Sequence, residues 1–259
     1  MKQQLLVIVG PTASGKTSVA IEIAQQFNGE IICADSRTVY KDMDIGTAKP
    51  TKEEQEKVPH HLLDVVLPDQ PFTVADFKRL ADEAIKDINK RDKLPIIVGG
   101  SGLYIDSILY DYKFSPKGSA RDPINPRHLD KTVEQKKSEL RPDALVVGID
   151  PPLEVIKQRV INRVDEMVNQ GFIDEVNSLL EIYSSNTNSL NAPGYKAFKE
   201  YVENKISLSE AKERFVRNDY LLARRQRTWF KRNKSIHWFN NRDEIVDFIT
   251  TQLNKNRLA

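Results

Sequence analysis

Leu5-Leu6-Val7-Ile8-Val9-Gly10-Pro11-Thr12-Ala13-Ser14-Gly15-Lys16-Thr17 is the stretch on which the fold turns. Five apolar residues, Leu5 to Val9, end in a glycine and read as a buried strand, while Val19, Ile23 and Phe27 then recur at helical spacing. Between them, residues 10–17 fit G-x-x-x-x-G-K-[ST] in the strand–loop–helix setting where this pattern binds phosphate. The glycines let backbone N–H groups converge on phosphate oxygens, Lys16 supplies a point charge, and the Thr17 hydroxyl is a candidate ligand for Mg²⁺. Gly10, Pro11, Thr12, Ala13, Ser14, Gly15, Lys16 and Thr17 therefore form the candidate phosphate site. Whose phosphate it is stays open, because kinases and many ATPases share the loop.

Beyond the loop, Asn28-Gly29 makes a turn and Glu30 to Ala34 reads as a second strand, which gives a β-α-β opening. The polar segment from Asp35 to Val58, broken by Gly46 and Pro50, reads as a long functional loop. Thr73 to Lys90 places Val74, Phe77, Leu80, Ala81, Ala84, Ile85 and Ile88 on one face of an amphipathic helix, and Pro95 to Val98 is another buried strand closed by Gly99-Gly100. Alternating helices and nearly uninterrupted apolar strands predict a parallel sheet covered on both faces, an α/β fold. Ser115 to Pro142, rich in proline and charge, reads as a small excursion before a strand at Ala144 to Ile149. After Pro151-Pro152 a helical period places Arg159 and Arg163 one turn apart on a shared face. The remainder reads as mostly helical, with a long helix over Ser209 to Arg232, a short strand at Ile236 to Phe239 and a terminal helix.

A chain of 259 residues buries a substantial core. No apolar run approaches the roughly 18 residues that span a bilayer, and the short N-terminal apolar run lacks a cleavage-site pattern, so a cytoplasmic protein is expected; nothing in the sequence sets the oligomeric state, and a monomer is assumed. The single cysteine, Cys33, excludes an internal disulfide and a thiolate metal cluster, and its isoleucine neighbours mark an ordinary buried residue. His60 and His61 are read as anchoring a loop, since no second pair offers zinc-ligand spacing. The net charge of +2 conceals a local patch: Arg224, Arg225, Arg227, Lys231, Arg232 and Lys234 enclose Trp229 and Phe230 without an acidic residue. Such a segment suits a nucleic-acid backbone, the alternative being a solvated helix face.

Further runs carry a resemblance. Asp35-Ser36-Arg37-Thr38-Val39-Tyr40, then Met43-Asp44-Ile45-Gly46-Thr47-Ala48-Lys49-Pro50, is similar to the hallmark of the tRNA dimethylallyltransferases. Pro59-His60-His61-Leu62-Leu63-Asp64, Ala75-Asp76-Phe77, Gly99-Gly100-Ser101-Gly102-Leu103-Tyr104, Arg163-Val164-Asp165-Glu166-Met167, Gly171-Phe172-Ile173-Asp174-Glu175-Val176, Gly194-Tyr195-Lys196 and Arg225-Gln226-Arg227-Thr228-Trp229-Phe230 agree with it. The resemblance implies a P-loop NTPase-like parallel sheet flanked by helices, with residues 1–114 and 144–259 as the core and 115–143 as a shortened insertion. It implies that the pyrophosphate of dimethylallyl diphosphate sits on residues 10–17 with Mg²⁺ at Thr17, and that Asp35 meets the N6 amine of an adenosine next to the anticodon of tRNA. Expulsion of pyrophosphate calls for positive charge from Lys16 and Arg163, and the amine proton calls for a base such as Asp35.

The implied catalytic set is Asp35, Lys16, Thr17, Ser101 and Arg163. The implied tRNA contacts are Asp35, Ser36, Arg37, Thr38 and Ser101, joined by Arg224, Arg225 and Arg227. Asp35 has an alternative role in holding metal or capping a helix, and Ser101 one as the N-cap before Leu103. Two departures stand out: Thr38 replaces a residue that is often glutamine, and only about Ser115 to Asp143 occupies the place of a sizeable helical insertion, Asp122-Pro123-Ile124-Asn125-Pro126-Arg127 resembling a remnant of its edge. The short insertion keeps open an adenylate isopentenyltransferase acting on free nucleotide. A small P-loop kinase or an inactive RNA-binding remnant are the readings from other classes.

Overall fold

The computed structural model describes residues 4–114, 133–135 and 139–258. Its first strand, β1 (Leu5–Val9), is buried at every position. Odd and even residues of β1 enter different cores because side chains alternate across a sheet. Leu5, Val7 and Val9 join one core, while Leu6 and Ile8 join the other. Flanking β1 are β4 (Leu94–Gly99) and β7 (Ala144–Ile149); outside these lie β2 (Gly29–Cys33), β3 (His60–His61) and β8 (His237–Phe239). The order is β3-β2-β4-β1-β7-β8 and every pairing is parallel, as the apolar strands require.

One face is covered by α3 (Val74–Lys90) and α4 (Gly102–Leu109), which contribute Phe77, Ile85 and Ile105, and the other by α1 (Lys16–Phe27) and α9 (Arg242–Leu258), which contribute Val19, Ile23, Ile245 and Ile249. Helix α3 starts in a capping box in which Thr73 and Asp76 satisfy each other's backbone N–H groups. A further layer comprises α5 (Leu153–Asn169), α6 (Phe172–Ile182), α7 (Pro193–Val202) and α8 (Leu208–Phe230). It has its own core around Phe172, Phe198, Phe215 and Tyr195, with ring centroids 4.7–6.1 Å apart.

The polar segment after β2 departs from the expected continuous loop, because α2 (Lys52–Lys57) forms within it. Thr51 and Glu54 make a capping box, and acids in the first turn with Lys57 in the last suit the helix dipole. Upstream, the Met43–Pro50 run is clamped from α6: the Glu175 carboxylate accepts the N–H groups of Asp44 (2.9 Å), Ile45 (2.7 Å) and Gly46 (3.1 Å) and the Tyr195 hydroxyl (2.6 Å). Gly46 is needed for this approach, since a Cβ there would lie 2.1 Å from the Phe172 ring. Lys49 is buried and bridges Asp44 and Asp64 while donating to the Tyr40 carbonyl at 2.9 Å.

His60 and His61 form an edge strand where a loop was expected. The His61 ring donates through Nε2 to the buried Glu30 at 2.7 Å, and Glu30 also holds Arg91 and Lys93. These partners, Arg91 foremost, keep the Glu30 carboxyl well below the usual carboxylate range despite its burial. Cys33 is buried as expected, its thiol pushed up to about 12 by that burial, with nearby Asp35 adding to it. Lys113–Phe114 (β5) pairs antiparallel with Val133–Gln135 (β6). The rest of the expected 115–143 insertion, including Asp122 to Arg127, lies outside the described residues up to Glu139.

Candidate active site

The loop of residues 10–15 leaves β1 between the C-terminal ends of β4 and β7, the edge where parallel sheets receive ligands. Gly10 passes so close to β7 that a Cβ would stand 2.4 Å from the Ile149 carbonyl oxygen. Ala13 and Gly15 adopt left-handed φ values of 59° and 95°, curling the chain into the concave form that gathers N–H groups on an anion. Lys16 Nζ donates to the Pro11 carbonyl at 2.6 Å. Its ammonium is pushed down to about 8, chiefly by burial; the Asp35 carboxylate opposes that shift and Arg163 adds to it.

Two of the residues expected to share a face of α5 take different tasks. Arg159 Nη1 donates to the carbonyls of Ala13 (3.3 Å) and Ser14 (3.1 Å), bracing the outside of the loop. Arg163 forms an ion pair with Asp219 of α8, and its Nε is buried without a hydrogen-bond partner among the described residues. Burial raises the Asp219 carboxyl, against the pull of Arg163. Lys16, Asp35, Arg163 and Asp219 thus share one electrostatic neighbourhood beside the phosphate loop.

Asp35 follows β2, and its Oδ1 accepts the Arg37 N–H at 2.8 Å, which turns the chain. Ser101 stands at the N-cap position of α4 but makes no side-chain cap there. Its hydroxyl instead accepts the Ser36 N–H at 3.0 Å, tying the β4 end to the β2 end. Next to this tie opens a cavity of about 680 Å³ that Asp35, Ser36, Arg37, Gly100, Ser101 and Gly102 line on the sheet side. Phe72, Tyr104 and Trp229 give it aromatic walls. Tyr104 is fixed by stacking on Phe77 at 4.3 Å, and Trp229 by donating from Nε1 to Asp106 at 3.0 Å.

Thr38 is buried outside the cavity lining, with its hydroxyl lacking a partner among the described residues, so it does not join Asp35, Ser36 and Arg37 there. The basic segment divides in the same way. Arg225 lines the cavity and Arg224 is exposed, whereas Arg227 donates to the buried Asp150 at 2.9 Å, with Lys231 beside it at 3.1 Å. Arg232 lies over the Trp229 ring at 4.1 Å.

Sequence reasoning overlooked Gln226, whose Oε1 accepts the Thr12 N–H of the phosphate loop at 2.8 Å while its side chain lines the cavity. It stands inside the Arg225–Phe230 run, but nothing in the spacing says that it meets a residue 214 positions away. Phe72 was not singled out and Tyr104 entered only as the last residue of the Gly99–Tyr104 run; the cavity is what gives both a place in the site.

The IPP transferase family model matches residues 38–140 and 124–233. A tRNA dimethylallyltransferase of Staphylococcus epidermidis is 38% identical, covering 98% of this chain and 93% of its own; one from Thermoanaerobacter pseudethanolicus is 40% identical, covering 92% of each. This chain belongs to the IPP transferase family. The crystal structure of the S. epidermidis tRNA isopentenylpyrophosphate transferase superposes with a TM-score of 0.83 at 37% identity, over 98% of this chain and 100% of the other. A eukaryotic dimethylallyltransferase, described as acting on tRNA, superposes at 0.76 with 27% identity, over 88% of this chain and 70% of its own. These structural neighbours share the parallel sheet flanked by helices.

For an IPP transferase that uses a divalent metal, the donor set is sparse but suitable. Thr17 is the second residue of α1, in the first turn after the Gly15 N-cap, where its side chain stands at the phosphate loop. No group of three His, Cys, Asp or Glu gathers there or elsewhere among the described residues. One hydroxyl with phosphate oxygens and water is the ligand set Mg²⁺ accepts, so the residues fit that ion. Among the described residues, no helix is long and apolar enough to cross a membrane.

Proposed function

We propose that this chain is a tRNA dimethylallyltransferase, moving the dimethylallyl group of dimethylallyl diphosphate to the N6 amine of an adenosine next to the anticodon. The observation that carries the reading is the position of Asp35, which lines the cavity and lies close enough to Lys16 to act on its ionisation. A base in the cavity therefore meets a diphosphate on the loop across a carboxylate.

In this reaction the bond between the allylic carbon and the diphosphate oxygen breaks, the carbon–nitrogen bond forms, and pyrophosphate leaves with the electron pair. Charge grows on the departing oxygen, so the loop's amides other than that of Thr12, which Gln226 holds, together with Lys16 and Arg163 stabilise the transition state more than the ground state. Asp35 takes the proton released from N6. Ser101 fixes the turn carrying Asp35 and Ser36, and the walls of Phe72, Tyr104 and Trp229 suit a planar base and exclude water. When bound, Mg²⁺ held at Thr17 supplies further neutralisation of diphosphate charge. Arg37, Arg224 and Arg225 contact the RNA backbone.

Transfer of labelled dimethylallyl from its diphosphate to bulk tRNA and to AMP, run in parallel, tests the reading. Label in tRNA is expected. Label in AMP alone would overturn the acceptor, and label in neither would overturn the chemistry.

A further inference from the structure

Helix α8 reaches from the cavity wall to the phosphate loop. Gln226 makes that reach: Oε1 holds the Thr12 N–H at 2.8 Å, and the same side chain lines the cavity. The amide lies in a notch left by Gly100, where a Cβ would come within 2.3 Å of Nε2 and 3.0 Å of Cδ. The helix that presents it is pinned on either side, by Arg227 to Asp150 and by Trp229 to Asp106. The Gln226 amide is consequently delivered from a fixed platform, and its bond sets the direction of the Thr12 peptide in the loop.

We propose that Gln226 is a positioning residue that couples the two substrate sites, so that RNA filling the cavity tightens the loop's hold on a diphosphate. The inference rests on the reading that the loop takes the diphosphate and the cavity takes the base. With the cavity open, Gln226 is half-buried and water competes for its amide. An occupant excludes that water, which strengthens the Thr12 bond and settles the side chain and the loop before the diphosphate arrives. Linkage makes the effect reciprocal: diphosphate on the loop tightens RNA binding by the same factor.

The test is calorimetric titration of the full chain with inorganic pyrophosphate and Mg²⁺, with and without a saturating anticodon stem-loop RNA. RNA is expected to tighten pyrophosphate binding about fivefold, at the low end of typical coupling between sites. Gln226→Met keeps the length of the side chain and removes the acceptor; it should weaken pyrophosphate binding about fivefold and abolish the effect of RNA. Gln226→Glu keeps an acceptor and should retain the RNA effect, although its charge lowers pyrophosphate affinity. Equal coupling in the Met variant, loss of coupling in the Glu variant, or no coupling in the unsubstituted protein would overturn the proposal. Failure of the unsubstituted protein to bind pyrophosphate at all is a different result, because it would overturn the reading of the site itself and this proposal with it.

Discussion

Replacing Glu175 by Gln should destabilise the protein out of proportion to so small a change. Its two carboxylate oxygens serve four donors: Oε2 takes the Asp44 and Ile45 amides, and Oε1 takes the Gly46 amide and the Tyr195 hydroxyl. A glutamine offers one carbonyl oxygen. If that oxygen keeps Asp44 and Ile45, the new NH₂ faces two donors; the hydroxyl of Tyr195 can rotate to accept, but the Gly46 N–H cannot. One bond is lost outright with a donor left facing a donor, and the remaining bonds lose the charge of their acceptor. Hydrogen bonds to charged groups contribute about 1.5–3 kcal/mol, so with partial rehydration near the exposed Asp44 the net cost is about 2–4 kcal/mol. For a chain of this size that corresponds to a fall in Tm of about 4–16 °C. Thermal unfolding followed by circular dichroism reads it, and Tyr195→Phe, which removes one donor only, should cost less than half as much. A fall below about 2 °C for Glu175→Gln would refute the claim that this carboxylate clamps the Met43–Pro50 run.

Asp35→Ala should nearly abolish transfer while tRNA affinity stays within a few fold; unchanged turnover would remove Asp35 from the role of base. Because Lys16 sits at about 8 in the free protein and a diphosphate binds its protonated form, pyrophosphate affinity should fall as pH rises past 8, approaching tenfold per pH unit; a flat profile from pH 7 to 9.5 would contradict this. Replacing Arg224 and Arg225 by Ala should lower the salt slope of tRNA binding by about one unit for each phosphate left unneutralised. Arg227→Ala should instead lower stability by about 1–2 kcal/mol, since it unbalances the buried Asp150; urea unfolding distinguishes the two. Glu30 has a folded pKa below its unfolded value, so its contribution is fully present above the ordinary carboxylate pKa and is lost as pH falls through the folded value. The stability gap between the protein and Glu30→Gln should therefore shrink below about pH 4.5, and a gap that is independent of pH would argue against the ion-pair network.

Residues 5–17 determined much of this protein in advance. Five apolar residues, a glycine, a lysine and a threonine at fixed offsets specify strand, loop and helix because each demand is local: period, positive φ and a helix N-terminus. The parallel sheet followed from strands apolar on both faces and the helix Val74–Lys90 from its periodicity, while the long helix expected over Ser209 to Arg232 forms over Leu208–Phe230. Short-range chemistry was read less well. The capping box at Thr51–Glu54 was present in the letters, but a six-residue helix has too few turns for a periodic face to show.

What only the tertiary structure decided is which charges and polar groups meet. Arg159 and Arg163 look alike on one helix face, yet one braces the loop and the other pairs with Asp219, 56 residues away. Arg224, Arg225 and Arg227 form one patch in sequence, but the buried carboxylate of Asp150 takes the third out of it. Gln226 reaches Thr12 because β1, β4 and α8 converge at the same edge of the sheet. Such pairings are set by the packing of distant elements, where burial makes each unpaired polar group costly and so selects its partner; no local spacing encodes that choice.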